Sequence, residues 1–246
     1  MYSEIFKKII RLSIALSLLL IISGFSFSDL FGKKNDTVKY TPEGLYARAS
    51  AEYRDGHYQK AQEYFQRLKE EYPLHDMAVL AEIGVADSLY SDKEYVKAEN
   101  AYADFISLHP VNENVPYAIY QLGLCHYNQI EAVDRDQAET ISAKKEWEKL
   151  IARYPESKFS TMSEKMLREC KQKLAEREFY VGKFYLRQNK YQAALARFEK
   201  VARDYANVGL DYKTEYYIRE AKAKIAEEEK LKLKKEAEKT KKDAKK

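Results

Sequence analysis

Four histidines and two cysteines are the side chains of this sequence most suited to zinc ligation or nucleophilic attack, and their spacing suits neither task. His57, His75, His109 and His126 never pair at i, i+4, the spacing by which one helix face presents two imidazoles to a zinc ion. Three of the four fall at expected turns or helix ends, where an imidazole serves the turn or the helix terminus. Cys125 and Cys170 each stand alone on an expected helix, without the short Cys spacing of a metal site or a redox motif. They read as small buried side chains. A disulfide between them stays open, because their helices could be neighbours and the compartment reads as oxidising. No Gly-rich phosphate loop, Gly-x-Ser-x-Gly elbow or His-Glu-x-x-His pair is present. Acidic residues are scattered as on solvated helix faces. The expectation is a protein that is not an enzyme and needs no cofactor or metal.

What remains is recognition chemistry, and tyrosine supplies it: there are 21 in 246 residues. Tyr117, Tyr120, Leu124 and Tyr127 step by three, four and three, which puts them on one helical face. Ile119, Leu122 and Gly123 occupy the other face and are expected to pack inward. Leu80, Ile83, Asp87 and Tyr90 hold matching positions one repeat earlier. A helix that is apolar on two faces must bury both or use one. Two readings stay open. The stripe could line a groove for an extended or hairpin peptide rich in aromatics, using the apolar ring and polar tip of tyrosine. Or it packs against the next repeat or the long helix that follows.

The elements that would carry these residues come from one repeated pattern. Tyr58, Ala61, Phe65 and Pro73 return 37 residues later as Tyr95, Ala98, Tyr102 and Pro110. Ala143, Trp147 and Pro155 keep the offsets, with Thr140 in place of the leading Tyr. Tyr191, Ala194 and Phe198 make a fourth copy, with Ala206 at the proline position. Small residue, aromatic four later and proline eight after that describe an amphipathic helix with a close-packing point and a stop. A hairpin of this kind cannot bury its apolar surface alone, so neighbours must stack. The expected pairs are helices over about 42–55 and 58–72, 76–90 and 94–109, then 115–128 and 138–154 after a longer connection near 129–137. A long helix over 158–187 then pairs with one over 191–205, and a cap helix follows from Leu210 to Ile225. Ser50, Ala86, Gly123 and Gly182 are assigned as the matching small residues of the first helices, which makes the first turn one residue shorter than the others. The spacing of small and aromatic sites resembles the tetratricopeptide repeat. The fold is therefore expected to be all-α, a right-handed α-solenoid of about four to five such hairpins.

Charge and the chain ends place the protein in a cell. The formal net charge is +4, but residues 227–246 hold nine lysines against six acids, and the body between the two ends is close to neutral. No basic face demands nucleic acid, and 227–246 reads as a solvated helical tail. Lys7, Lys8 and Arg11 precede an apolar run from Leu12 to Ile22 and a small-residue exit through Ser28. That is the layout of an export signal over 1–28, followed by a polar tether over 29–41. Ile22-Ser23-Gly24 begins like a bacterial lipobox, but Phe25 stands where the lipid-accepting Cys would be, so that attachment is chemically unavailable there.

Several features narrow the resemblance. They are the export signal, three helix pairs closing in Tyr-Pro or His-Pro, the inserted connection with Val133-Asp134-Arg135-Asp136-Gln137, and the long linking helix with Tyr180 and Tyr185 before its end. Together, over about residues 40–225, they resemble the BamD (ComL) family of tetratricopeptide lipoproteins of the outer-membrane β-barrel assembly machine. The resemblance implies a scaffold on the periplasmic side of the outer membrane that binds the barrel-forming subunit and unfolded outer-membrane proteins, with membrane association through its partner. Residues 42–155 would form the client-binding N-terminal repeats, with Leu80, Ile83, Tyr90, Tyr117, Tyr120, Leu124 and Tyr127 as groove residues. Residues 156–226 would hold the long linking helix, repeat 4 and the cap helix, with the dock for a machine partner at 178–225 and Lys183, Arg187, Lys190 and Arg197 as exposed candidates. A tetratricopeptide adaptor of another envelope system and a stand-alone periplasmic chaperone remain the alternatives.

Overall fold

The computed structural model describes residues 40–243, so the expected export signal and nearly all of the tether lie outside the described residues. Within them the chain forms nine α-helices: α1 (Pro42–Arg54), α2 (Tyr58–Glu71), α3 (Asp76–Ser91), α4 (Tyr95–Leu108), α5 (Val115–Tyr127), α6 (Ala138–Arg153), α7 (Lys158–Arg187), α8 (Tyr191–Asp204) and α9 (Asp211–Asp243). Each helix packs on the next in chain order, and α1 also meets α3 as α5 meets α7. This is a stack of antiparallel hairpins of tetratricopeptide type. Among the described residues no helix is long and apolar enough to cross a membrane.

Local chemistry sets the helix ends. Thr41 Oγ1 accepts from Gly44 N at 3.1 Å, with Pro42 opening α1. His75 caps α3 by accepting from Met77 N at 3.2 Å, and Ser157 caps α7 by accepting from Phe159 N at 3.2 Å. Three hairpins turn on the same motif: Gly56 (φ 79°), Lys93 (φ 64°) and Asn189 (φ 57°) all occupy the left-handed region. The amide after each reaches back five residues, as His57 N does to Glu52 O at 2.9 Å and Glu94 N to Leu89 O at 2.9 Å, which satisfies the last carbonyls of the first helix.

These turns have equal length, which corrects the assignment of the first repeat. The small residue facing the second helix is Ala49, fully buried, rather than Ser50. In the later hairpins glycine sets how closely the helices approach. A Cβ on Gly123 would lie 2.3 Å from Trp147 Nε1, and one on Gly182 would lie 2.6 Å from the Phe198 ring. Trp147 is fully buried and donates its indole N–H to Tyr120 O at 3.3 Å. The insertion between α5 and α6 is held by Gln137, whose amide donates to the carbonyls of Ala132, Arg135 and Asp136 while its own oxygen accepts from Thr140.

The apolar interior divides along α7. One continuous core runs from Leu45 to Cys170, and a second, smaller one gathers Ala175, Val201 and Val208 with Phe179, Tyr205 and Leu210. The expected cap helix and the solvated helical tail beyond it form one continuous helix, α9, to Asp243, with Thr214 and Ala221 its only buried residues.

Candidate functional site

The first helices of the hairpins line one side of the stack. There α1 closes on α3 and α5 on α7, but α3 and α5 are not closely packed pairs. The gap is an open groove of about 760 Å³. Tyr46, Ser50 and Tyr53 of α1 form one wall, Leu80, Ile83, Gly84 and Asp87 of α3 the floor, and Tyr117 with Phe159 the far wall. Gly84 lets the Phe65 ring rise beneath the floor, since a Cβ there would sit 2.7 Å from it. Tyr46 then packs edge-on to Phe65, 5.6 Å between centroids. Exposed Arg54 and Lys158 also line the opening.

One acid lies in this apolar floor. Asp87 Oδ1 accepts from the hydroxyls of Tyr102 and Tyr117, the latter at 2.7 Å, and Gln121 Nε2 donates to the Tyr117 oxygen at 2.8 Å. Burial holds the Asp87 carboxyl above its ordinary range, outweighing the tyrosine and Gln121 hydrogen bonds that stabilise its anion. Burial and the same carboxylate push the Tyr117 and Tyr102 phenols up, so both stay protonated as donors. The groove offers ring faces, a half-buried hydrogen-bonded acid and two exposed cations, an arrangement suited to holding a chain.

Of the seven groove residues read from the sequence, the structure brings Leu80, Ile83 and Tyr117 together at this opening, beside Asp87. The other four face neighbouring elements. Tyr120 packs 5.8 Å from the Phe159 ring at the start of α7, Tyr127 packs 5.8 Å from Trp147, and half-buried Leu124 joins the main core. Tyr90 and Tyr127 belong to a ladder with Tyr53, spaced by 37 residues. Tyr53 OH meets Ser91 Oγ at 2.8 Å, Tyr90 OH accepts from Asn128 Nδ2 at 2.9 Å, and Tyr127 OH donates to Glu169 Oε2 at 2.7 Å. Each rung ties one first helix to the next. The period of 37 in tyrosine was visible in the sequence and points to this ladder; Tyr46, Gly84 and Phe159 carried no comparable signal.

The four basic candidates separate likewise. Arg187 and Lys190 are exposed at the turn between α7 and α8. Arg197 pairs with Glu178 at 2.8 Å, a carboxylate that Lys200 also holds. Lys183 lies over the Tyr217 ring, 5.9 Å from its centroid. Beside them Tyr180, Phe184, Tyr212 and Tyr216 expose large parts of their rings, giving this end a mixed basic and aromatic surface.

Both cysteines are buried and free, and burial pushes each thiol up to about 12. A group the sequence did not suggest is Glu99, His126 and Glu139, from α4, α5 and α6. The three lie too far apart in sequence to form a short motif.

A family model described as an outer membrane lipoprotein, YfiO, matches residues 39–242, which is the whole stack. The chain belongs to the YfiO family. Its relatives include the outer membrane protein assembly factor BamD of Rickettsia prowazekii, 32% identical over 170 residues covering 69% of this chain and 65% of that protein. BamD of Caulobacter vibrioides is 28% identical over 65% of this chain and 52% of its own length. BamD of Neisseria meningitidis is 28% identical over 70% and 68%. The chain thus aligns with roughly half to two thirds of each relative's length.

Proposed function

We propose that this YfiO-family chain is a non-catalytic scaffold in outer-membrane protein assembly, held on the periplasmic side of the outer membrane. Its groove between α1, α3 and α5 takes an extended segment of an unfolded outer-membrane protein, and its α7–α9 end docks the barrel-forming subunit of the machine. The observation that carries this reading is the aromatic-walled opening of about 760 Å³ in a chain whose relatives are named as outer-membrane protein assembly factors. An extended client strand would lay alternate side chains against Tyr46, Leu80 and Ile83. Arg187 and Lys190, exposed and clear of the core, are the basic residues best placed to meet an acidic partner surface, while Arg197 and Lys183 work beside them from within local contacts.

Site-specific photo-crosslinkers at Leu80 and at Arg187, introduced in the producing cell, test both halves. Position 80 is expected to trap unfolded barrel proteins and position 187 the assembly subunit. Leu80→Glu should weaken binding of an unfolded barrel segment about tenfold or more without loss of helicity, because Leu80 is 40% exposed and lies outside the buried core. Clients trapped equally at both positions, or full binding by Leu80→Glu, would overturn the groove assignment.

A further inference from the structure

Outside the groove lining, three helices bring metal-ligating atoms to one point. Glu99 of α4, His126 of α5 and Glu139 of α6 each offer one ligand atom, all within 4.8 Å of one another. His126 Nδ1 lies 2.7 Å from Glu139 Oε2 and 3.7 Å from Glu99 Oε2, so both carboxylates aim at the same ring nitrogen. The imidazole is nearly enclosed, with 12% of its side chain accessible. Among the described residues neither glutamate forms an ion pair with any lysine or arginine. The other three histidines also sit beside glutamate, but each meets only one.

Glu99 and Glu139, with 32% and 39% of their side chains accessible, keep part of their hydration, and a cation between them would offset their like charges. A neutral imidazole supplies none, and an imidazolium offsets one charge of two and can give its Nδ1 proton to only one carboxylate well. A divalent ion offsets both. We infer that Glu99, His126 and Glu139 form a binding site for a divalent transition-metal ion, of which zinc is the natural test. One imidazole nitrogen with two carboxylate oxygens is a zinc-type donor set, whereas calcium and magnesium favour oxygen alone. Zinc holds such atoms at about 2.0–2.2 Å, which would put the donors roughly 3.5 Å apart on a tetrahedron. The Glu139 contact must therefore open slightly and Glu99 swing inward, movements within reach of side-chain ends. Three protein ligands leave the fourth position to water, so the ion would be exchangeable. It would clamp the second helix of one hairpin to both helices of the next.

Isothermal titration of zinc into chelator-stripped protein tests the inference. One equivalent is expected to bind with micromolar or tighter affinity and to raise the melting temperature. Glu99→Gln and Glu139→Gln should each bind at least about tenfold more weakly while keeping the native far-ultraviolet circular dichroism. His57→Gln and His109→Gln, which alter the singly paired histidines, should bind as the parent does. Cobalt provides a second reading on the unaltered protein, should a variant unfold: visible ligand-field bands are expected, and zinc should erase them. The inference falls if zinc gives no saturable binding, if both Glu variants bind as the parent does, or if the cobalt spectrum stays that of the hydrated ion.

Discussion

Asp87 is the residue where fold and candidate site compete most directly. Its carboxylate organises two tyrosines and the groove floor, yet burial holds its pKa above that of an unfolded aspartate. For an acid raised in the folded state, the folded protein binds more protons than the unfolded one between the two pKa values. Asp87 is therefore tolerated fully below the unfolded value near about pH 4, and that stability is lost as pH rises through the folded value. Asp87→Asn keeps an Oδ1 that accepts from both hydroxyls and removes the charge. The variant is expected to gain stability relative to the parent as pH rises from 4 towards 7, read from urea midpoints at each pH. An unchanging difference would mean that Asp87 titrates normally. Lys93 is a second residue held against its preference, at φ 64° in a turn whose counterpart in the first hairpin is Gly56. An L-residue in the left-handed region costs about 1–2 kcal/mol, partly offset by the extra freedom glycine brings to the unfolded chain, about 0.4–1 kcal/mol. Lys93→Gly should raise stability by roughly 0.5–1 kcal/mol, seen as a higher melting temperature with an unchanged denaturant slope.

At the scale of helices, the spacing between partners depends on what one helix omits. Gly182 faces Phe198 so closely that an added methyl must displace the ring, and Phe198 is itself wedged between Phe179 and Tyr217, each 5.3 Å away. Overpacking of this kind costs about 1–3 kcal/mol, the loss expected for Gly182→Ala. Combining it with Phe198→Leu should recover part of that loss, and a double-mutant cycle in urea measures how much. Purely additive effects would show that the contact does not set the helix spacing. This pairing was legible in the sequence, because a small residue precedes the aromatic by 16 positions at both Ala86–Tyr102 and Gly182–Phe198, while the insertion before α6 stretches Gly123–Trp147 to 24. The first hairpin misled because Ala49 and Ser50 are both small; the 37-residue period from Ala86, like the equal turn lengths in the structure, selects Ala49. Gly84 stayed hidden for a different reason. It faces the preceding hairpin, so its partner Phe65 belongs to another repeat and its offset differs from the within-hairpin rule. The tyrosine stripe on α5 was visible, but periodicity reports a shared face and not what covers it. The start of α7 folds back onto that face, placing Phe159 against both Tyr117 and Tyr120, at 5.3 and 5.8 Å.

For the whole molecule, the division of the core along α7 sets which parts can move. A stack of hairpins holds together through nearest-neighbour contacts, so its stability need not be uniform along the chain. Residues 45–170 share one large core that includes Trp147, Tyr102 and Phe105, all essentially buried. Beyond Cys170 the second core is smaller, and α9 fully buries only Thr214 and Ala221, with Tyr217 packed on Phe179 and Phe198, before running into solvent. With less apolar surface to expose, the α8–α9 unit should open at lower free energy than the N-terminal hairpins, pivoting on the continuous helix α7. Hydrogen exchange followed by mass spectrometry checks this. Amides in 191–221 are expected to exchange about tenfold or more faster than those in α3 to α6, with α7 graded from protected at Cys170 to less protected at Arg187. Ending the chain after Ala226 should leave both rates nearly unchanged, since residues 227–243 are exposed throughout. Equal protection throughout would mean that the two cores unfold as one. The unequal result would join the two proposed tasks physically: a rigid N-terminal groove that keeps its shape around a client, and a yielding C-terminal end that adapts to a partner.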